Sequence, residues 1–328
     1  MKALITGVNG FAGNYLAELL VHDGTEVVGI GRSPVFHPFR RLATDAIQYT
    51  TVDLSSNAEE IRRLLSAQRP DWIFHLAALS SPAQSIQRPE ETYKNNWNGT
   101  LNLLEAIRKT GLVCRLLLVS SSQVYGRVPS GETVLETFPL LPETPYAASK
   151  AATELLAYQY WSSYGIEIVR VRPFNHTGPG QPSGYVCPDL ARKVAEIESG
   201  LRPARLEVNG LKSLRDFTDV RDMVVAYRAA LRSGRAGDAY NLCSGKSDSI
   251  ESVVRELASM SKLPIEITEA AGSEEREHHR GIFGSNAKAT RELSWQASIP
   301  FRQTLQEILN EWRCRASRIG SIAQSEHG

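Results

Sequence analysis

Paired cysteines are missing from this chain. Its four, Cys114, Cys187, Cys243 and Cys314, lie far apart, with none of the close spacings that hold zinc. They read as buried or incidental thiols, and no metal site is expected. An excess of one charge is missing too: 37 Lys and Arg stand against 36 Asp and Glu, a net +1. Bulk charge therefore gives no reason to expect a nucleic-acid partner. No apolar run approaches the ~20 residues that cross a bilayer. The first twenty residues lack the basic start and small-residue cleavage site of a secretory signal. A soluble, cytoplasmic protein without a membrane partner is the expectation. Disorder is excluded for most of the length, since 42% of residues are hydrophobic and 22% charged, ordinary globular usage.

What is present is an alternation. Apolar runs without polar interruption, at 2–6, 26–32, 47–54, 71–78, 114–121 and 166–173, read as strands buried on both faces. Between them, helical spacing marks 11–24, 57–68, 89–111 and 145–165. The fold class predicted is α/β, a doubly wound parallel Rossmann sheet. After residue 175 the rhythm loosens into helices at 188–199, 219–232, 250–261 and 301–313, with 238–245 returning a strand to the main sheet. This reads as a second, smaller α/β substrate-binding domain. The expected division is 1–175 plus about 214–245 for the first domain and about 176–213 plus 246–314 for the second. Residues 315–328 are small and polar and read as a flexible tail.

The first strand runs into "TGVNGFAG", with Gly7, Gly10 and Gly13 on the strand-to-helix turn. A dinucleotide pyrophosphate needs bare backbone N–H groups there: Gly7 permits the turn, Gly10 the close approach and Gly13 the helix packing. Asn9 and Phe11 complete the expected cradle. The second strand ends in "GIGRSP", with Arg32 and no carboxylate. An acidic side chain there would hold the ribose 2′-hydroxyl, whereas an arginine meets a 2′-phosphate, so NADP(H) is favoured over NAD(H). Asp53 and Leu54 are expected at the adenine. Leu76, Ala77 and Ala78 of "HLAA" are expected beside the cofactor, with His75 a packed strand-end histidine.

"PYAASK" sets Tyr146 and Lys150 four residues apart, on one face of a helix start. A tyrosine of pKa ~10 is a poor proton carrier at neutral pH unless its surroundings tune it. A neighbouring ammonium and the helix N-terminus do that, and the lysine can also bond a nicotinamide ribose. In "VSSSQVYG", Ser121 is the candidate to bond the substrate oxygen, with Ser122 close behind.

Together "TGVNGFAG", "HLAA", "NWNGT", "SSSQVYG", "YAASK" and "RDFTDVRD" resemble the extended short-chain dehydrogenase/reductase superfamily acting on nucleotide sugars, over about residues 1–313. "RPFNHTGPGQ" and "VNGLKSLRDFTDVRD" are most similar to its GDP-mannose branch. The resemblance implies a GDP-linked sugar substrate met by Ser122, Gln123, Asn175, Lys193, Arg215 and Arg276, with Asn96 holding strand and helix together, and a homodimer built on helices 89–110 and 145–164. Ser121, Tyr146 and Lys150 would be the catalytic set. Sugar-nucleotide dehydratases carry a glutamate where this chain has Gln123, and an amide cannot accept a C5 proton. The expected reaction is reduction of the C4 ketone of GDP-4-keto-6-deoxy-D-mannose to GDP-D-rhamnose. GDP-mannose 4,6-dehydration and 4-epimerisation use the same triad and stay open, as does the C4 stereochemistry. A non-catalytic dinucleotide sensor would fit better with a replaced Tyr146.

Overall fold

Seven strands form one all-parallel sheet: β1 (Lys2–Thr6), β2 (Glu26–Gly31), β3 (Gln48–Thr51), β4 (Trp72–His75), β5 (Arg115–Val119), β6 (Glu167–Pro173) and β7 (Ala239–Leu242). The computed structural model describes residues 1–38, 42, 43, 45–129, 131–270 and 281–325, with side chains to residue 317. The sheet order is 3-2-1-4-5-6-7. The direction of build therefore reverses between β1 and β4, and in such sheets ligands bind at that switch point, outside the C-terminal strand ends.

The strands are uniformly apolar because both faces are covered. On one face α1 (Phe11–His22) packs with a later helix, through Leu16, Leu20, Met223 and Tyr227. On the other lie α2 (Ala58–Gln68), α3 (Gly99–Thr110) and α4 (Pro145–Tyr164), through Ile61, Leu65, Leu103, Ile107 and Ala157. The long helix expected over 89–111 comes in three pieces. A turn at Pro89–Tyr93 leads into a π-turn at Lys94–Asn98 before α3 begins. π-turns recur at functional sites, and this one carries Asn96.

A second, smaller core joins α5 (Val186–Glu198), α7 (Ile250–Ser259) and α8 (Phe301–Ser325) around Leu190, Val194, Val253, Leu257 and Leu305. Between them in sequence, α6 (Val220–Ser233) is the helix that shares the first sheet face with α1. Short strand pairs that the apolar pattern does not announce stitch the two cores, among them Asn175–Thr177 with Phe217–Asp219. The helix expected over 301–313 runs on to Ser325, through the stretch that reads as a polar tail. Arg315 pairs with Glu311 and covers the Trp312 ring, and Ala316 is buried in the second core. Alanine and arginine are also strong helix formers.

The aspartates of "RDFTDVRD" act as fasteners. Asp216 accepts bonds from Ser244 N (2.8 Å) and Oγ (2.7 Å) and from Gly245 N (3.1 Å). Asp219 caps α6 and binds Arg221 and Thr304 Oγ1 (2.7 Å). Asp222 holds Ser298 N and Ile299 N, both at 2.8 Å. That motif thereby ties α6 to the second core. Among the described residues, no helix is long and apolar enough to cross a membrane.

Candidate functional site

A cleft of about 770 Å³ opens at the strand ends. Its lining brings together Gly7, Asn9, Gly10, Phe11, Gly13, Arg32, Asp53, Leu54, Leu76, Ala77 and Ala78 at one end, and Ser121, Ser122, Gln123, Tyr146, Lys150, Asn175 and Arg215 at the other. Lys193 is not brought in: its Nζ lies 3.4 Å from the Glu207 carbonyl oxygen. Position along the helix explains this: α5 meets the cleft through Val186 and Cys187 in its first turn, and residue 193 lies more than a turn further on. Arg276 lies outside the described residues.

The turn after β1 is shaped by what its glycines lack. Gly7 sits at φ +76°, and a Cβ there would lie 2.9 Å from Ala77 backbone atoms. A Cβ on Gly13 would lie 2.3 Å from the Gly7 carbonyl oxygen. Gly10 caps α1 without a side-chain bond to the first-turn amides. That leaves the helix N-terminus open to an anion, as a dinucleotide diphosphate requires. At the other end the Ser120 hydroxyl is buried in the wall without a hydrogen-bond partner. A cradle that side chains would fill and an orphaned hydroxyl fit a bound dinucleotide.

α4 delivers Tyr146 and Lys150. Thr144 caps it by accepting from Ala147 N (3.1 Å), and Pro145 occupies the first turn, where its missing N–H costs nothing. Lys150 donates to the Val119 carbonyl (2.7 Å) at the end of β5. Ser121 follows on the same strand end and lines the cleft with Tyr146. Burial pushes the Tyr146 phenol up to about 12, partly offset by Ser121 and reinforced by Tyr185. Burial draws Lys150 down to about 8.

Asn96 holds this corner. Its side chain accepts from Leu79 N (2.7 Å) and donates to Leu79 O (3.2 Å) and Ser149 Oγ (2.8 Å). Ser149 Oγ in turn donates to the Tyr146 carbonyl (2.7 Å). His75 lies fully buried below. Its Nδ1 is 2.8 Å from Thr6 Oγ1 and its Nε2 3.0 Å from Thr100 Oγ1. Burial and then the Lys150 charge pull it down to about 3, so it is neutral.

Towards the second core, Asn175 donates to the Asp216 carbonyl (3.3 Å), and Arg215 Nη1 to the Leu214 carbonyl (2.7 Å). Burial lowers the Arg215 pKa, the mark of a cation held in a dry wall. His176, Tyr185 and Tyr227 also line the cleft and were not singled out from sequence. His176 stacks on Phe11, 6.3 Å between centroids at 5°. Its place beside Asn175, just past a strand end, was the available signal. Asp53 is the only carboxylate lining the cleft among the described residues. Bonds from Ser55 and Ser56 and the Arg32 charge outweigh its burial and hold it below the usual range.

A parallel sheet in this order, a glycine turn at its switch point and a tyrosine and lysine one helical turn apart at a strand-end serine are the marks of the extended short-chain dehydrogenase/reductases, and the chain is an enzyme of that class. Within the class, it belongs to the GDP-mannose 4,6 dehydratase family, which it matches over residues 4–308. It is 33% identical over 316 residues to the GDP-6-deoxy-D-mannose reductase of Pseudomonas aeruginosa, covering 96% of this chain and 98% of that one. It is also 33% identical over 306 residues to a GDP-mannose 4,6-dehydratase of Vibrio cholerae serotype O1, covering 88% and 79%. The solved structure of RMD from Pseudomonas aeruginosa complexed with NADPH superposes with a TM-score of 0.80 at 31% identity, over 96% and 99% of the two chains.

Proposed function

We propose that the chain reduces the C4 ketone of GDP-4-keto-6-deoxy-D-mannose, giving GDP-D-rhamnose, with NADPH as reductant. The observation that carries this reading is the lining at the nicotinamide end. It holds Ser121, Tyr146 and Lys150, with Gln123 where a dehydratase needs a proton-accepting carboxylate. An amide neither accepts nor yields that proton, so addition of hydride to a ketone is the chemistry these groups serve.

Gly7, Gly10 and Gly13 would hold the diphosphate, Asp53 and Leu54 the adenine, Arg32 the 2′-phosphate and Lys150 the nicotinamide ribose. The cofactor supplies the hydride. Tyr146 Oη gives its proton to the C4 oxygen as negative charge develops there, and Ser121 Oγ donates a second hydrogen bond to the same oxygen. The charged Lys150 lowers the cost of leaving a phenolate behind. Arg215 meets the substrate diphosphate as a planar fork. Asn175, Ser122 and Gln123 orient the sugar. Residues 1–175 with about 214–245 serve the dinucleotide, and 176–213 with 246–314 the nucleotide sugar. The chain works in the cytoplasm as a homodimer, through Tyr93 and Trp97, exposed on the turns that lead into α3, and Leu155 and Tyr158, exposed on α4.

The test is stoichiometric. Incubated with the keto sugar and NADPH, the protein should consume one NADPH per rhamnosyl product. Conversion of GDP-mannose to the keto sugar without added reductant would replace this reading by dehydration. Tyr146→Phe should lower kcat by orders of magnitude and leave NADPH affinity within a few-fold. Unchanged turnover would remove Tyr146 from the proton-donor role.

A further inference from the structure

Gly31 ends β2, where a carboxylate would meet the adenosine ribose in an NAD site. Its backbone is not left-handed, so conformation alone does not demand glycine. Space does. A Cβ built on Gly31 would lie 2.6 Å from Tyr49 Oη and 3.2 Å from Asn9 Nδ2.

Tyr49 reaches that place from β3 and is fixed there. Its hydroxyl donates to the Ser33 carbonyl (2.6 Å) and accepts from Asn9 Nδ2 (3.0 Å). Thr51 Oγ1 donates to the same Ser33 carbonyl (3.1 Å). Asn9 completes the brace by donating to the Val35 carbonyl (3.1 Å) and accepting from His37 N (3.0 Å). The Phe36 ring packs on Tyr49 at 6.0 Å between centroids. Three separate pieces of chain, the glycine turn, the end of β2 with its following loop, and β3, are thus pinned to one phenol hydroxyl. Arg32 stands exposed at the rim next to it.

We propose that Tyr49, braced by Asn9 and Ser33, is a cofactor-selectivity residue: its hydroxyl fills the volume through which a side chain at position 31 would reach the adenosine ribose, and so bars the carboxylate of an NAD site. This deepens the NADPH reading above and rests on it. A consequence is that cofactor preference in this chain is set by two strands together. Installing the acid alone should fail, because the acid would displace Tyr49 and loosen the 33–37 loop.

Calorimetric titration with NADP⁺ and with NAD⁺ tests this on the wild type, Gly31→Asp, Tyr49→Phe and Gly31→Asp/Tyr49→Phe. Gly31→Asp alone should weaken both dinucleotides tenfold or more. The double variant should bind NAD⁺ at least tenfold more tightly than Gly31→Asp does. A gain in NAD⁺ affinity from Gly31→Asp alone, or no recovery in the double variant, overturns the proposal. Gly31→Ala carries only the Cβ. Its melting temperature should fall and be restored by adding Tyr49→Phe, so the clash can be read even if Gly31→Asp does not fold; an unchanged melting temperature in Gly31→Ala also overturns it. A wild type that prefers NAD⁺ would refute the NADPH reading instead, and the Gly31 and Tyr49 comparison would still decide the steric claim.

Discussion

Burial moves Tyr146 up to about 12 and Lys150 down to about 8, so near neutrality one remains a phenol with a proton to give and the other an ammonium. His75, just beneath, shows how the same dry setting fixes a tautomer. Thr100 Oγ1 donates its proton to the Asn96 carbonyl (2.8 Å), so towards His75 it can only accept, and Nε2 carries the hydrogen. Nδ1 then accepts from Thr6, whose oxygen accepts from Ala77 N (3.2 Å). The neutral ring thereby links the π-turn to the strand end opposite Gly7. Its folded pKa, about 3, lies below the unfolded value of 6.5. Between those limits the unfolded chain binds the extra proton, so stability falls as pH falls through 6.5 towards 3. The share from this one group is about 1.4 kcal/mol per pH unit. Urea denaturation over that range should show a shallower loss for His75→Asn than for wild type, and parallel slopes would refute the account. As a sequence letter, His75 read correctly as a packed strand-end residue, but nothing in "HLAA" names its two threonine partners, which come from β1 and α3.

At the scale of elements, the helix that carries Tyr146 and Lys150 is held by two side chains at its first turn. The Thr144 side chain caps α4, and Ser85 Oγ accepts from Tyr146 N (3.1 Å). Thr144→Ala should destabilise the fold by about 1 kcal/mol, seen as a lower melting temperature. It should lower kcat more than it raises the KM for NADPH, since it loosens Tyr146 and leaves the glycine turn alone. The strands were legible because an all-parallel sheet needs unbroken apolar runs, and the helices of the first 175 residues because their spacing is regular. The π-turn at 94–98 was not, because the residues buried around it, Thr92, Asn96 and Thr100, are polar and give no apolar rhythm in which a one-residue shift would show. Lys193 stands outside the cleft lining because α5 meets the cleft only in its first turn, which a resemblance in sequence does not reveal. The Tyr49 brace was invisible because it joins three segments through one hydroxyl.

For the whole molecule, a doubly wound parallel sheet follows from the alternation, whereas its order 3-2-1-4-5-6-7 is seen only in the structure, and the rhythm loosens after residue 175, where the smaller core lies. The stitching between sheet and core is not legible either, because strand pairs of two or three residues carry too few side chains to form a pattern. The exposed faces of the helices at 89–110 and 145–164 belong to this scale as well. If Tyr93, Trp97, Leu155 and Tyr158 meet their counterparts across a two-fold axis, wild type should sediment at twice the chain mass. Trp97→Glu/Tyr158→Glu should then sediment as a monomer with its fold intact by circular dichroism. A monomeric wild type would end the dimer proposal. Three of the four thiols, those of Cys114, Cys187 and Cys243, are buried, and burial pushes the first two to about 12 and raises the third as well. Thiolates, not thiols, react, and Cys314 is exposed on α8, three residues beyond Glu311, whose carboxylate accepts from Gly180 N (2.5 Å) beside the cleft. The natural chain is therefore ready for site-selective attachment of a single fluorophore, without engineered cysteines, on the helix that touches a loop beside the cleft.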